Sequence, residues 1–364
     1  MKNSFPICIF ALLLSLSANA DIALKGDFRY RTENIKEEQA SPLSESDRMR
    51  QRMRLRLTAT GKVNETTEAI ARISTGSTTT TENTTTNQDF TDYYSKKAVV
   101  LDLAYFNWKA CDTLTVLGGK TPIPFTLVGN NDLIFDADLS PEGLSLKYLH
   151  ALESGVEVFA NTSATWLSER FSASGATDNT DVGLMGAQIG ANYKAESWAA
   201  GITAGSFNFS NIKGSTAAAA KGNTLSGGAY TKEYKLTSIG VEVGTKAADL
   251  PLLAYGDTVS NSDGGNYKAG SIVGVKLGKL KDKGSWAVAL DTRELEMDAT
   301  VGVLAEGDTA GGGTDLRSTR FVGGYQIAEN ANVALTYITG KKAISSTIFS
   351  PNYNRAQFDF NFQF

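Results

Sequence analysis

The chain has 364 residues, with 35 Gly but only 7 Pro, 35 basic against 39 acidic side chains and a single His. This mixed polarity excludes a bundle of membrane helices, and the acidic balance argues against a nucleic-acid partner. Of the two cysteines Cys8 lies in the leader, so Cys111 alone remains in the mature chain and neither a disulfide nor a cysteine-based metal cluster can form.

Residues 1–20 read as a Sec signal peptide, with Lys2, an apolar run from Phe5 to Leu16 and the small-residue site Ala18-Asn19-Ala20 ahead of cleavage before Asp21. Its apolar core is too short to span a bilayer permanently. Cys8 lacks the context of a lipoprotein cleavage site, so no lipid anchor is expected. Residues 21–364 form one domain and contain no run of about 18 apolar residues. In a membrane such a chain must close into a barrel, because backbone groups facing lipid have to be paired within the protein.

A period of two predicts sixteen strands. They fall near 22–33, 48–60, 65–75, 97–109, 113–121, 142–150, 154–168, 182–195, 197–210, 233–246, 250–258, 268–280, 285–296, 316–328, 331–341 and 354–364. Alternate connections are short and those between them long, which is the asymmetry of an outer-membrane barrel with both termini periplasmic. The expected fold is therefore all-β, a transmembrane antiparallel barrel of about 16 strands. One parity of each strand supplies the lipid face, for example Leu101, Leu103 and Tyr105, or Trp286, Val288 and Leu290. Tyr193, Trp198, Trp286 and Phe364 fall near the short turns, at the height where amphipathic rings suit the headgroups.

The predicted second strand carries Arg48, Arg50, Arg52, Arg54 and Arg56 on one parity and Met49, Met53, Leu55 and Leu57 on the other. Facing lipid, each arginine would cost about 2–4 kcal/mol at the midplane, so the ladder must face the lumen. Arg29 and Arg31 precede it on the polar parity of the first strand, with Asp27 and Glu33 interspersed, and Arg72 follows. The ladder either forms one side of a pore constriction or braces the wall by pairing with carboxylates. Its counterpart is the third long loop, Pro122 to Pro141, which carries Asp132, Asp136 and Asp138. Ile123, Phe125, Leu127, Val128, Leu133, Ile134, Phe135 and Leu139 make that loop too apolar to lie in water, so it is expected to fold inward. The stretches Ser74 to Asn87 and Thr309 to Thr314 read as solvated or flexible loops.

The closing segment, Asn354 to Phe364, alternates Phe358, Phe360, Phe362 and Phe364 with polar residues, as a strand between hydrocarbon and water requires. It resembles the C-terminal signature by which the barrel-assembly machinery recognises bacterial outer-membrane barrels. GDFRYRTE at 26–33, the arginine strand, SKKAVVLDLAYFNWK at 95–109, GGKTPIPF at 118–125 and FDADLSPEGLSL at 135–146 resemble the putative porin family of Gram-negative bacteria. That resemblance implies a general diffusion porin, homotrimeric, in lipopolysaccharide-containing outer membrane. The Pro-Glu-Phe-Gly-Gly loop motif of enterobacterial porins is absent, and Pro141-Glu142-Gly143 falls at the start of a strand.

Catalysis is not expected: the one His, His150, sits at a short turn without a nucleophile. No cofactor or metal is expected either. The reading is a water-filled channel for passive diffusion of small hydrophilic solutes and ions. Its alternatives are an anion- or substrate-selective channel and a structural or adhesive barrel with an occluded lumen.

Overall fold

The computed structural model describes residues 22–39, 44–79, 83–170 and 180–364; the expected signal peptide lies outside them. Sixteen strands of seven residues or more run Ile22–Gln39, Ser44–Lys62, Thr67–Thr75, Val99–Cys111, Leu114–Lys120, Glu142–Ala151, Val156–Ser168, Val182–Lys194, Ala199–Ser210, Tyr234–Ala247, Leu250–Asn261, Ala269–Gly278, Trp286–Leu295, Leu316–Ala328, Ala331–Lys342 and Asn352–Gln363. Each pairs antiparallel with its neighbour in sequence, and the first also pairs with the last, from Asp27 opposite Gln363 to Glu37 opposite Tyr353. The sheet is thus a closed barrel with no free edge, the arrangement that satisfies every strand's backbone in lipid.

The alternation that predicts the strands also sorts their faces. On the closing strand Phe358, Phe362 and Phe364 are exposed on the outside while Arg355, Gln357 and Asp359 are buried in the interior. Outward rings meet at the short turns, Tyr193 with Trp198 at 5.2 Å between centroids, and Trp286 lies opposite Tyr325. One strand departs from the expected parity. A β-bulge at Asp102 shifts the register between Ile73 opposite Leu101 and Arg72 opposite Leu103. Leu103 and Tyr105 consequently turn inward, and Phe106 and Trp108 take the outer face.

The first two strands are 18 and 19 residues long. At about 3.3 Å per residue each reaches about 60 Å, well beyond the roughly 25 Å apolar band of such barrels. This hairpin therefore projects from the long-loop end.

At that end the interior is filled. The loop from 121 to 141 enters the lumen and packs on the opposite wall, and the loops at 211–233 and 296–315 close over it. Phe125, Phe135 and Phe207 meet at centroid distances of 4.8 to 5.7 Å, two of the three pairs edge to face. Leu133, Tyr234, Leu236, Ile272 and Leu295 are buried around them. The wall accepts the loop because Gly186 leaves room for a ring: a Cβ there would run into the Phe125 ring. Gly129, at φ +57°, lets the loop turn against the face of Tyr255.

Candidate pore constriction

The arginine ladder faces inward, as burying five guanidiniums against water rather than hydrocarbon demands. It is interlocked with carboxylates from three segments, the first strand and the second and third long loops. Arg54 and Arg56 share Asp27 on the first strand, each at 2.8 Å. Arg50 and Arg355 hold Glu33 between them, Arg355 through two hydrogen bonds of 3.0 and 2.6 Å. Arg48, Arg50 and Arg52 converge on Asp89, which the second long loop lays against the second strand. Arg31 forks onto both oxygens of Asp359 at 2.7 and 2.8 Å and reaches Asp308 at 2.9 Å. Paired forks of this kind fix geometry as well as charge.

The three loop carboxylates take separate places. Asp132 reaches the far wall, where Arg293 and Arg320 bind its two oxygens at 2.6 and 3.1 Å. Against the upward push of burial, these two guanidiniums hold its carboxyl down to about 2. Asp136 is buried between the loops: its oxygens accept from the amides of Gly307 and Asp138, and its own amide donates to the Leu304 carbonyl. Burial, reinforced by neighbouring Glu306, pushes its carboxyl up to about 8. Asp138 alone reaches the ladder, with Arg56 at 3.5 Å and Thr86 at 3.4 Å. Arg72 pairs locally with Asp102 at 2.6 Å.

The loop is anchored by polar contacts that sequence parity does not reveal. The Thr126 amide donates to Gln188, the Gly129 amide to Glu242, and Lys276 Nζ donates to the Gly129 carbonyl at 2.6 Å. Parts of two stretches expected to be solvated or flexible lie inside instead. Thr86 and Asn87 are buried, the latter accepting from Arg29 at 2.7 Å, and Thr309, Ala310 and Thr314 are buried where the loop 296–315 enters the barrel.

That second inward loop also brings Asp308 to Arg31 and Arg355. Burial opposes the charge of Asp308, yet the two guanidiniums hold its carboxyl well below the usual range. Sequence reasoning missed Asp308, Glu306, Asp89, Arg293 and Arg320. The signal for Arg293 was present: it shares the inward parity of its strand with Asp291, opposite Trp286 and Leu290.

Around the ladder eight arginines (29, 31, 48, 50, 52, 54, 56 and 355) face six carboxylates (27, 33, 89, 138, 308 and 359). The wall is therefore basic even after its internal pairing, in a chain whose net charge is negative.

No curated protein sequence matches this chain significantly. Among solved structures, Pseudomonas putida OprB covers 94% of this chain and 94% of its own at 11% identity, with a TM-score of 0.59. An engineered variant of the Rhodopseudomonas blastica porin superposes over 94% of this chain and 100% of its own, with 14% identity and a TM-score of 0.52. Vibrio cholerae OmpT, in a trimer form, gives 95% and 99% coverage, 12% identity and a TM-score of 0.52. These likenesses establish the barrel fold. The family described as "Putative porin" matches residues 18–238 and 246–364, and with the closed barrel it places this chain in that family of outer-membrane channels.

Proposed function

We propose that the barrel is a passive diffusion pore for small hydrophilic solutes and ions, exported by its leader and inserted by the barrel-assembly machinery into lipopolysaccharide-containing outer membrane as a homotrimer. The observation that carries the reading is the basic wall. Partly wet guanidiniums at Arg48, Arg50, Arg54 and Arg56, with side chains 14 to 59% exposed, line the lumen opposite the inward loop. Transport of this kind needs no cofactor and no chemistry. The fixed charges raise the local anion concentration and bias the current accordingly.

One observation favours a second reading, a structural or adhesive barrel with an occluded lumen. Three loops pack an apolar core inside the long-loop end, around Phe125, Phe135 and Phe207. Planar bilayers separate the two. A pore conducts in discrete steps, shows a reversal potential on the anion side under a salt gradient, and admits small uncharged sugars into liposomes. Folded, heat-modifiable protein without conductance would establish the occluded barrel instead.

A further inference from the structure

The rows of side chains that cross the basic wall from strand to strand differ in one respect. Like charges placed directly opposite one another in a sheet destabilise it unless an opposite charge joins the row. Arg31 and Arg52 are such a pair, and their row is closed at both ends by acids, Asp359 on the last strand and Asp89 from the second long loop. One row above it Arg50 stands opposite Glu33, and two rows below it Arg56 stands opposite Asp27.

The row between the Arg31–Arg52 row and the Asp27–Arg56 row is Asn332, Asn361, Arg29, Arg54, across four adjacent strands, and it holds no acid. Arg54 borrows Asp27 from the neighbouring row. Arg29 has no carboxylate within 4 Å among the described residues. Its Nη2 donates to the side-chain oxygen of Asn87, and its Nε is buried without a hydrogen-bond partner. Asn361 donates to Asn332, so the row presents amides and guanidiniums only. All four residues are partly exposed to the lumen.

We propose that this row is a binding site for a phosphate group, as inorganic phosphate or on a small ester. The chemistry is that of the donors. A guanidinium fork with an unused Nε–H, beside a second guanidinium, matches an oxyanion that offers several acceptor oxygens and between one and two negative charges. Chloride, with one charge and no directional acceptors, uses less of it. Asn87 is a positioning residue, which aims Arg29 along the row. The proposal rests on the pore reading in that the solute reaches the row through the lumen.

The test is binding and conductance measured on the same folded protein. Titration calorimetry with inorganic phosphate in detergent should show saturable binding, which Arg29→Gln weakens at least tenfold and which Arg317→Gln, an exposed pair with Glu294 on the long-loop side, leaves unchanged. Arg29→Lys keeps the charge but not the fork. It should fold as wild type and lose the preference for phosphate over chloride. In bilayers, phosphate added to a chloride current should reduce it in the wild type and not in Arg29→Gln. Parallel titrations with glycerol 3-phosphate distinguish an ester from the free ion, since only an accommodating site binds both. Conductance without phosphate binding would overturn the site and leave the pore standing; binding without conductance would keep the site and overturn the pore. Equal affinity in Arg29→Lys and wild type would also overturn it, because charge alone would then suffice.

Discussion

Raising the pH should loosen the contact between the two inward loops, through Asp136. Asp136 is 8% exposed; its carboxyl is pushed up to about 8 by burial and by Glu306, and it accepts from the Gly307 amide across the loop boundary. Glu306 is itself raised, by burial first and then by Asp132, while Arg293 at 3.9 Å opposes the shift; Asp138 adds a further negative neighbour. In the docked state the Asp136 carboxyl keeps its proton up to about pH 8, whereas in an undocked, hydrated loop it loses it near 3.8. The docked state is therefore fully favoured in acid below that ordinary value. It weakens by about 1.4 kcal/mol for each pH unit between the two values, and the loss is complete above about pH 8. From pH 5 to pH 8 this amounts to about 4 kcal/mol for one proton. Amide hydrogen exchange at Gly307, normalised for the intrinsic chemistry, should report protection falling about tenfold per pH unit over this range and levelling off above it. Asp136→Asn should flatten the profile. Protection that is constant or rising between pH 5 and 8 would refute the buried neutral carboxyl.

Deleting Phe364 removes two backbone bonds with Gly26, of 2.7 and 3.0 Å, and a ring that fills the space beside it. Heat-modifiable barrel in the outer membrane should fall severalfold with export across the inner membrane unchanged, as fractionation and gel mobility would report. Replacing Arg50, Arg52 and Arg54 together with Gln should move the reversal potential toward cations at low salt, an effect that fades as screening shortens to a Debye length of about 10 Å at 0.1 M. Asp138→Asn should move it toward anions, and Asp136→Asn should move it much less because burial keeps that carboxyl mostly protonated at neutral pH. Phe207→Ala empties the contact shared by Phe125 and Phe135, and denaturant titration should show a cost of about 3–5 kcal/mol.

The succession of strands was legible because each alternates against lipid, and every one of the sixteen has its counterpart in the barrel. The first strand runs on to Gln39 rather than ending near 33. Its continuation, Asn34-Ile35-Lys36-Glu37-Glu38, leaves the hydrocarbon and no longer needs an apolar outer face, so the signal stops before the strand does. The inward course of the loop 121–141 was likewise readable from its apolar residues. The loop 296–315 carries a similar signal in Ala299, Val301 and Leu304, which its glycines and polar residues obscure. Which acid meets which arginine was not readable at all. Asp132, Asp136 and Asp138 are within six residues of one another, and they are sorted by how far the loop reaches across a lumen whose width depends on closing the whole ring.

The closure itself has a consequence for how the chain is made. Arg31 meets Asp359 across 328 positions of sequence, and Glu33 meets Arg355 across 322. No segment synthesised earlier can satisfy the first strand's outer edge, so the hairpin with the second strand must wait, one flank open, until the final residues emerge. A long unsatisfied flank is a template for wrong partners, and contacts so distant in sequence form slowly. The two ion pairs on the seam then act as a register gauge. A slip of two residues keeps the phenylalanines outside and the backbone bonded, but it sets Arg31 against Gln357 or Asn361 instead of Asp359. Lipid exposure alone cannot tell those registers apart; the charges inside can.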